Sequence, residues 1–159
     1  MKTAFEMVQE FHEKYGYPVN VCPNPTDELK FTYKILGDML IGIAKTIEEN
    51  AIHYQNQGDP TLYRLHLNME ELGELCIAFS EGDDVKIFDA EVDLAYVVTG
   101  LAVTFGLPLP EGFAEVHRSN MTKAHPSEGG GARMRRKGSD YSPPELEQLL
   151  FRSRNNETV

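Results

Sequence analysis

The segment MEELGEL places Glu70, Glu71 and Glu74 within about one helical turn, since 70 and 74 are an i, i+4 pair and 71 and 74 an i, i+3 pair. A second set follows in Asp89 and Asp93, also i, i+4, with Glu91 on roughly the opposite side. A turn near residue 83 would make the two segments antiparallel neighbours. Glu74 and Asp93 then lie at the same height and can face each other across the pair. Two carboxylates about 4 Å apart repel by about 4 kcal/mol at an effective dielectric of about 20. A hard divalent cation resolves that conflict. With oxygen donors alone the expected ion is Mg²⁺, with Mn²⁺ as a substitute, shared with substrate phosphates. Gly73 sits between the acids, where glycine costs about 1 kcal/mol relative to alanine, which points to a close approach of another backbone or a ligand. Either acidic cluster alone reads as a solvated helix face. Two clusters at matching height, with Asp93 at the mouth of an apolar helix and so expected to be partly buried, point to a metal site.

The elements that must carry these acids are legible from periodicity and punctuation. Phe5, Val8, Phe11 and Tyr15 predict a helix over 4–15 closed by Gly16, and Pro18, Pro23 and Pro25 an extended connector. From about Asp27 a coiled-coil-like stripe of Leu29, Tyr33, Leu36, Leu40, Ile43 and Ile47 predicts a long helix running to Tyr54 and closed by Gly58. Asp59 as N-cap and Pro60 as first residue predict the next helix, and Glu81 to Asp84 its end. The run LAYVVTGLAVTF makes the helix from about Val85 to Phe105 apolar nearly all round, hence the expected central element, buried on most sides with Tyr96 in the core. A helix over 110–123 follows, then a basic, Gly-rich loop containing Gly129 to Gly131 and Arg133 to Lys137. A short helix opened by Pro143 and Pro144 has Leu146, Leu149 and Leu150 available to dock. No strand is expected. The fold class is all-α, a helical bundle around the antiparallel helix pair that carries the acids. One domain over 1–159 is expected, with its core at about 27–123 and the basic loop and short helix at 124–152.

The chain has 159 residues and a formal net charge of −10. Residues 1–117 hold 7 Lys/Arg against 20 Asp/Glu, and residues 118–154 hold 8 against 4. An acidic body with a basic C-terminal segment argues against a nucleic-acid binder. The apolar run 94–105 is too short to span a bilayer, and residues 1–20 lack a signal-peptide pattern, so no membrane association and a cytoplasmic location are expected. Cys22 and Cys76 offer neither a disulfide framework nor a thiolate metal site. His12, His53, His66 and His117 show no ligand spacing and are read as surface or capping residues.

Three ordered blocks, EELGE at 70–74, DAEVDLAYVVTGLAVTFGLPL at 89–109 and EVHRSNMTK at 115–123, together resemble the all-alpha nucleoside triphosphate pyrophosphohydrolases of the MazG-like superfamily. The phosphoribosyl-ATP pyrophosphohydrolase-like branch is the most similar. The resemblance covers about residues 62–150, and more loosely EFHEKYGYPV at 10–19. It implies an ExxE and an ExxD motif binding Mg²⁺, with a downstream Asn and Lys that hold the phosphates. ExxE falls on Glu71 and Glu74, and the last acid of ExxD on Asp93. Position 90 is alanine, which departs from the pattern, and Asp89 on the face of Asp93 is the expected substitute. The Asn and Lys fall on Asn120 and Lys123, three apart on one expected helical face, with Arg118 as an aid.

The resemblance implies an Mg²⁺-dependent hydrolase that cleaves a nucleoside triphosphate between its α and β phosphates to a monophosphate and pyrophosphate. Glu71, Glu74, Asp89 and Asp93 are then the metal ligands, Glu70 or Glu71 the base, and Arg118, Asn120 and Lys123 the substrate-binding residues. The basic loop is either a lid or a solubilising tail. A homodimer or homotetramer is expected, with the helix at 27–57 as a candidate interface. Two other readings stand beside this one: hydrolysis of phosphoribosyl-ATP itself, and a non-enzymatic acidic helical adaptor whose clusters are solvated faces. A ferritin-like di-iron site is excluded because no ExxH motif is present.

Overall fold

Several helices among the described residues are bounded by capping side chains or left-handed glycines. The structure, a computed structural model, describes residues 2–124 and 137–155. Among the described residues there are six helices and no strand: α1 Ala4–Tyr15, α2 Asp27–Asn56, α3 Thr61–Glu81, α4 Asp84–Phe105, α5 Leu109–Asn120 and α6 Leu146–Arg154. The all-α class is therefore what the structure shows. At α1 the Thr3 hydroxyl accepts from the Glu6 N–H while the Glu6 carboxylate accepts from the Thr3 N–H, satisfying two otherwise unpaired donors. Thr26 caps α2, and Asp83 caps α4 by accepting from the N–H groups of Val85 and Lys86. Gly82 and Gly106 take the left-handed conformation that ends α3 and α4. At α3 the boundary lies one residue later than expected. Pro60 occupies the cap position, yet the Asp59 carboxylate still accepts from the Thr61 N–H at 3.0 Å.

The chain forms two compact units, one of residues 22–106 and the other of 1–21 with 107–159. In the first, α3 is the middle helix, flanked by α2 and α4. Its crossing with α2 depends on two glycines. A Cβ on Gly37 would lie 2.8 Å from the Gly73 carbonyl oxygen and 2.7 Å from Ile77 Cδ1, and one on Gly73 would lie 3.2 Å from the Gly37 oxygen. Gly73 therefore marks the approach of another backbone. One heptad along the same seam, the buried His66 ring meets the Ala44 carbonyl through Nδ1 at 3.1 Å. On the other side of α3, Leu75 and Ala78 pack on Ala90, with Phe79, Ile87 and Leu94 around them. The connection from α3 to α4 is only Gly82 and Asp83, which makes the two antiparallel.

Several expectations change here. The buried positions of α2 are Gly37, Ala44 and Ala51, seven residues apart, while Leu29, Leu36 and Ile43 of the expected stripe are exposed. Close helix approach selects the small residues, and the large ones flank the seam. The more apolar α4 is not buried on most sides, because a helix buries only the faces that have neighbours. Tyr96 is 79% exposed rather than in the core, and Val103 is 77% exposed. His66 is buried rather than on the surface, because its ring is half of the contact with Ala44.

In the second unit α1 packs on α5. The buried Tyr15 places its hydroxyl 3.1 Å from the Asn120 carbonyl oxygen and 2.7 Å from that of Lys123. Helix α5 begins at Leu109 and stops at Asn120, three residues short of the expected end. The chain closes there in tight turns, with Thr122 N–H to Ser119 O and Lys123 N–H to Asn120 O. Helix α6 begins after Glu145 rather than at the prolines, and its Leu146, Leu149 and Leu150 line an apolar cavity of about 350 Å³ with Phe113 and Val116 of α5. Most of the basic loop, including Gly129 to Gly131, Arg133, Arg135 and Arg136, lies outside the described residues.

The glycine crossing makes a direct prediction. Gly37→Ala should destabilise the protein by about 1–3 kcal/mol through overpacking. Gly42→Ala, where a Cβ meets nothing within 4 Å, should be neutral or stabilising. Chemical denaturation of the two variants checks the contrast.

Candidate active site

The phase that the Gly37/Gly73 crossing imposes on α3 turns Glu71 toward α4. Glu71 is half-buried, and its carboxyl is pushed above the ordinary range, first by burial and then by the charges of Glu74, Asp93 and Glu70. The acids of the two helices are thus close enough to act on one another. Glu70 is half-buried beside His66, whose Nε2 lies 3.7 Å from Oε2, too long for a hydrogen bond. Because Nδ1 faces a carbonyl, which can only accept, the hydrogen of the neutral ring is assigned to Nδ1.

Glu74 and Asp89 line one cavity of about 370 Å³, floored by Ile41, Ile77 and Ala78. The ion pair of Lys86 with Glu81, at 2.6 Å, lies on its rim. Asp93, expected to be partly buried, is exposed, although its charge is felt by Glu71 across the α3–α4 pair. At position 90, where ExxD has its first acid, Ala90 is buried against Leu75 and Ala78, while Asp89 beside it is exposed, and both line the cavity.

The donor set suits a hard cation, since it consists of carboxylates only and the raised Glu71 carboxyl registers the negative charge that a cation would offset. Among the described residues no three His, Cys, Asp or Glu side chains converge on one point as they stand. Glu74, Asp89 and Asp93 are exposed side chains. Cys22 and Cys76 are free thiols.

Arg118, Asn120 and Lys123 belong to the other unit. The Arg118 guanidinium grips Glu115 with both arms at 2.8 and 2.7 Å, and also donates to Ser142 Oγ at 3.0 Å and the Pro143 carbonyl at 2.9 Å. It holds the 142–145 segment to α5, and a phosphate would have to compete with a bidentate carboxylate for it. Asn120 is the last helical residue and Lys123 lies in the turn beyond, so they do not share a helical face. Their main-chain carbonyls are anchored instead by Tyr15. Sequence reasoning read His66 as a surface or capping residue, whereas its ring is buried against the Ala44 carbonyl on the inner side of α3.

Acids on an antiparallel helix pair, close enough to act on one another, define a class of all-α, acid-lined proteins. Residues 40–120 match the family described as phosphoribosyl-ATP pyrophosphohydrolase. The chain belongs to that family, within the MazG-like all-α superfamily. It is also similar to an uncharacterised protein of Acanthamoeba polyphaga mimivirus, 28% identical over 109 residues, which are 67% of this chain and 32% of the relative. The chain thus spans about a third of that relative's length. No solved structure matches. No single helix among the described residues is long and apolar enough to cross a membrane.

The Glu115 clamp carries a pH prediction. Its carboxyl is held down from 4.5 to about 2, chiefly by Arg118 and then by the Glu145 N–H. A lowered folded value stabilises the protein fully above the unfolded value of about 4.5, and that contribution is lost as pH falls toward about 2. Glu115→Gln should lower the melting temperature at neutral pH and flatten its decline over that acidic window. Thermal melts that superimpose on the wild type throughout would contradict the clamp.

Proposed function

We propose that this protein is an Mg²⁺-dependent pyrophosphohydrolase that cleaves a nucleoside triphosphate between its α and β phosphates. The observation that carries the reading is the set of mutually repelling carboxylates on α3 and α4, in a stretch that matches a pyrophosphohydrolase family. Glu71, Glu74, Asp89 and Asp93 would hold the ion, with Mn²⁺ as a substitute. When bound, the ion neutralises phosphate charge and lowers the pKa of water.

The remaining chemistry belongs to the chain's own residues. Glu70 or Glu71 takes the proton of the attacking water. Water adds at phosphorus, the bond from the bridging oxygen breaks, and pyrophosphate leaves with that oxygen. Asn120 and Lys123 bind phosphate oxygens. The family description favours phosphoribosyl-ATP as a second candidate substrate.

The exposed apolar face of α4 supports a second copy of the chain as partner. Phe88, Tyr96 and Val103 are each more than 70% exposed along this one helix, and Met39 and Ile43 are exposed on α2. A homodimer or homotetramer would cover them. The cytoplasm is the proposed location, with neither nucleic acid nor membrane as a partner.

Release of pyrophosphate and a monophosphate from a panel of ribo- and deoxynucleoside triphosphates and phosphoribosyl-ATP, with Mg²⁺ or EDTA, tests the activity. Asp93→Asn and Glu74→Gln should each reduce turnover by at least about a hundredfold with unchanged circular dichroism. Retained activity in both would remove the assigned site, and a folded protein inert across the panel would favour the acidic adaptor. For the assembly, Phe88→Glu should shift sedimentation toward the monomer, and an unaltered profile would exclude α4 as the interface.

A further inference from the structure

Arg64 is the only arginine in residues 1–117, among 20 Asp and Glu, yet it pairs with no carboxylate among the described residues. Its Nε is buried without a hydrogen-bond partner. The guanidinium lies across the α3–α4 seam against Gly100, where a Cβ would come within 3.1 Å of Nη1. Two local costs therefore coincide. A half-buried cation lacks an anion, and a glycine in a helix interior forfeits about 1 kcal/mol. Together they form a cradle that admits a guanidinium and leaves its donors unspent.

The cradle has a fixed relation to the carboxylates. Arg64 is seven residues before Glu71 on α3, and Gly100 is seven residues after Asp93 on antiparallel α4. The guanidinium therefore sits on the seam of Glu71 and Asp93, about 10 Å along it. A polyphosphate with its scissile end at the carboxylates would extend its far end along the seam toward the long Arg64 side chain.

We propose that Arg64 binds the terminal phosphate of the substrate's polyphosphate chain, so that its planar fork holds the group that departs as pyrophosphate. The proposal rests on the pyrophosphohydrolase reading and deepens it by assigning an anion subsite within the α3–α4 pair. Arginine suits the task because it offers a charged, bidentate donor set to phosphate oxygens and stays protonated when partly buried. It would meet charge that builds on the leaving group as the bridging bond breaks.

Calorimetric titration of the full chain with inorganic tripolyphosphate in Mg²⁺, beside steady-state turnover of the best nucleotide, tests this. Arg64→Met, which keeps the stem and removes the fork, should weaken tripolyphosphate binding by about ten- to a hundredfold and lower kcat/KM comparably. Arg64→Lys should fall between, because it restores charge without the bidentate geometry. Should Arg64→Met fail to fold by circular dichroism, Gly100→Ala serves instead, since its methyl crowds only the tip of a flexible side chain and should weaken binding several-fold. Unchanged tripolyphosphate affinity and kcat/KM in a folded Arg64→Met, while the wild type hydrolyses nucleotides, would overturn the subsite and leave the enzyme reading standing. Arg64-dependent binding without hydrolysis of any nucleotide would keep the subsite and overturn the enzyme reading. A folded wild type that does not bind tripolyphosphate would overturn the subsite.

Discussion

The close crossing of α2 and α3 at Gly37 and Gly73 is the constraint on which the acid-bearing unit depends. A helix can rotate about its axis or slide along a neighbour at little cost if its surface is uniform. Here the backbones meet at one point, and His66 meets the Ala44 carbonyl one heptad away. Two contacts at that spacing set both the rotation and the height of α3. A slip of one residue would turn its side chains by about 100°. Glu71 would then leave the α4 side, and the facing charges would disperse.

With α3 held in this phase, the carboxylates are gathered in spite of their mutual repulsion. Their proximity is visible in Glu71, whose carboxyl is raised by burial and by the surrounding charges. The local strain is electrostatic, and it is carried by packing elsewhere in the unit: the α2 seam on one side of α3 and the Leu75–Ala78–Ala90 cluster on the other. Alanine at position 90 belongs to that cluster. Asp89 beside it is exposed and lines the same cavity.

The other unit organises its polar residues by a different means. Tyr15 receives no acid or base role, but its hydroxyl ties the main chain at Asn120 and Lys123, so these residues are placed by their backbone. Arg118 spends its donors on Glu115 and the 142–143 segment. The same residue type thus stands in two settings in one chain: Arg118 is neutralised by Glu115, whereas Arg64 lies half-buried against Gly100 with its Nε unpaired.

Local signals determined much of this protein. Thr3, Thr26 and Asp83 start helices and Gly16, Gly82 and Gly106 stop them, because capping depends on a few neighbouring atoms and is legible in a short window. The acids followed from the same logic, since helical spacing and a short turn suffice to bring Glu74 and Asp93 to similar heights. Which apolar faces are covered was decided by the tertiary structure alone. The sequence of α4 is apolar nearly all round after Asp93, and only the position of its neighbours shows that Tyr96 and Val103 face outward. The small residues of α2, not its large ones, form the seam, because hydrophobic size says nothing about how closely two backbones approach. The end of α5 at Asn120, the burial of His66 and the cradle of Arg64 are likewise consequences of contacts between residues far apart in the chain, to which no local window is sensitive.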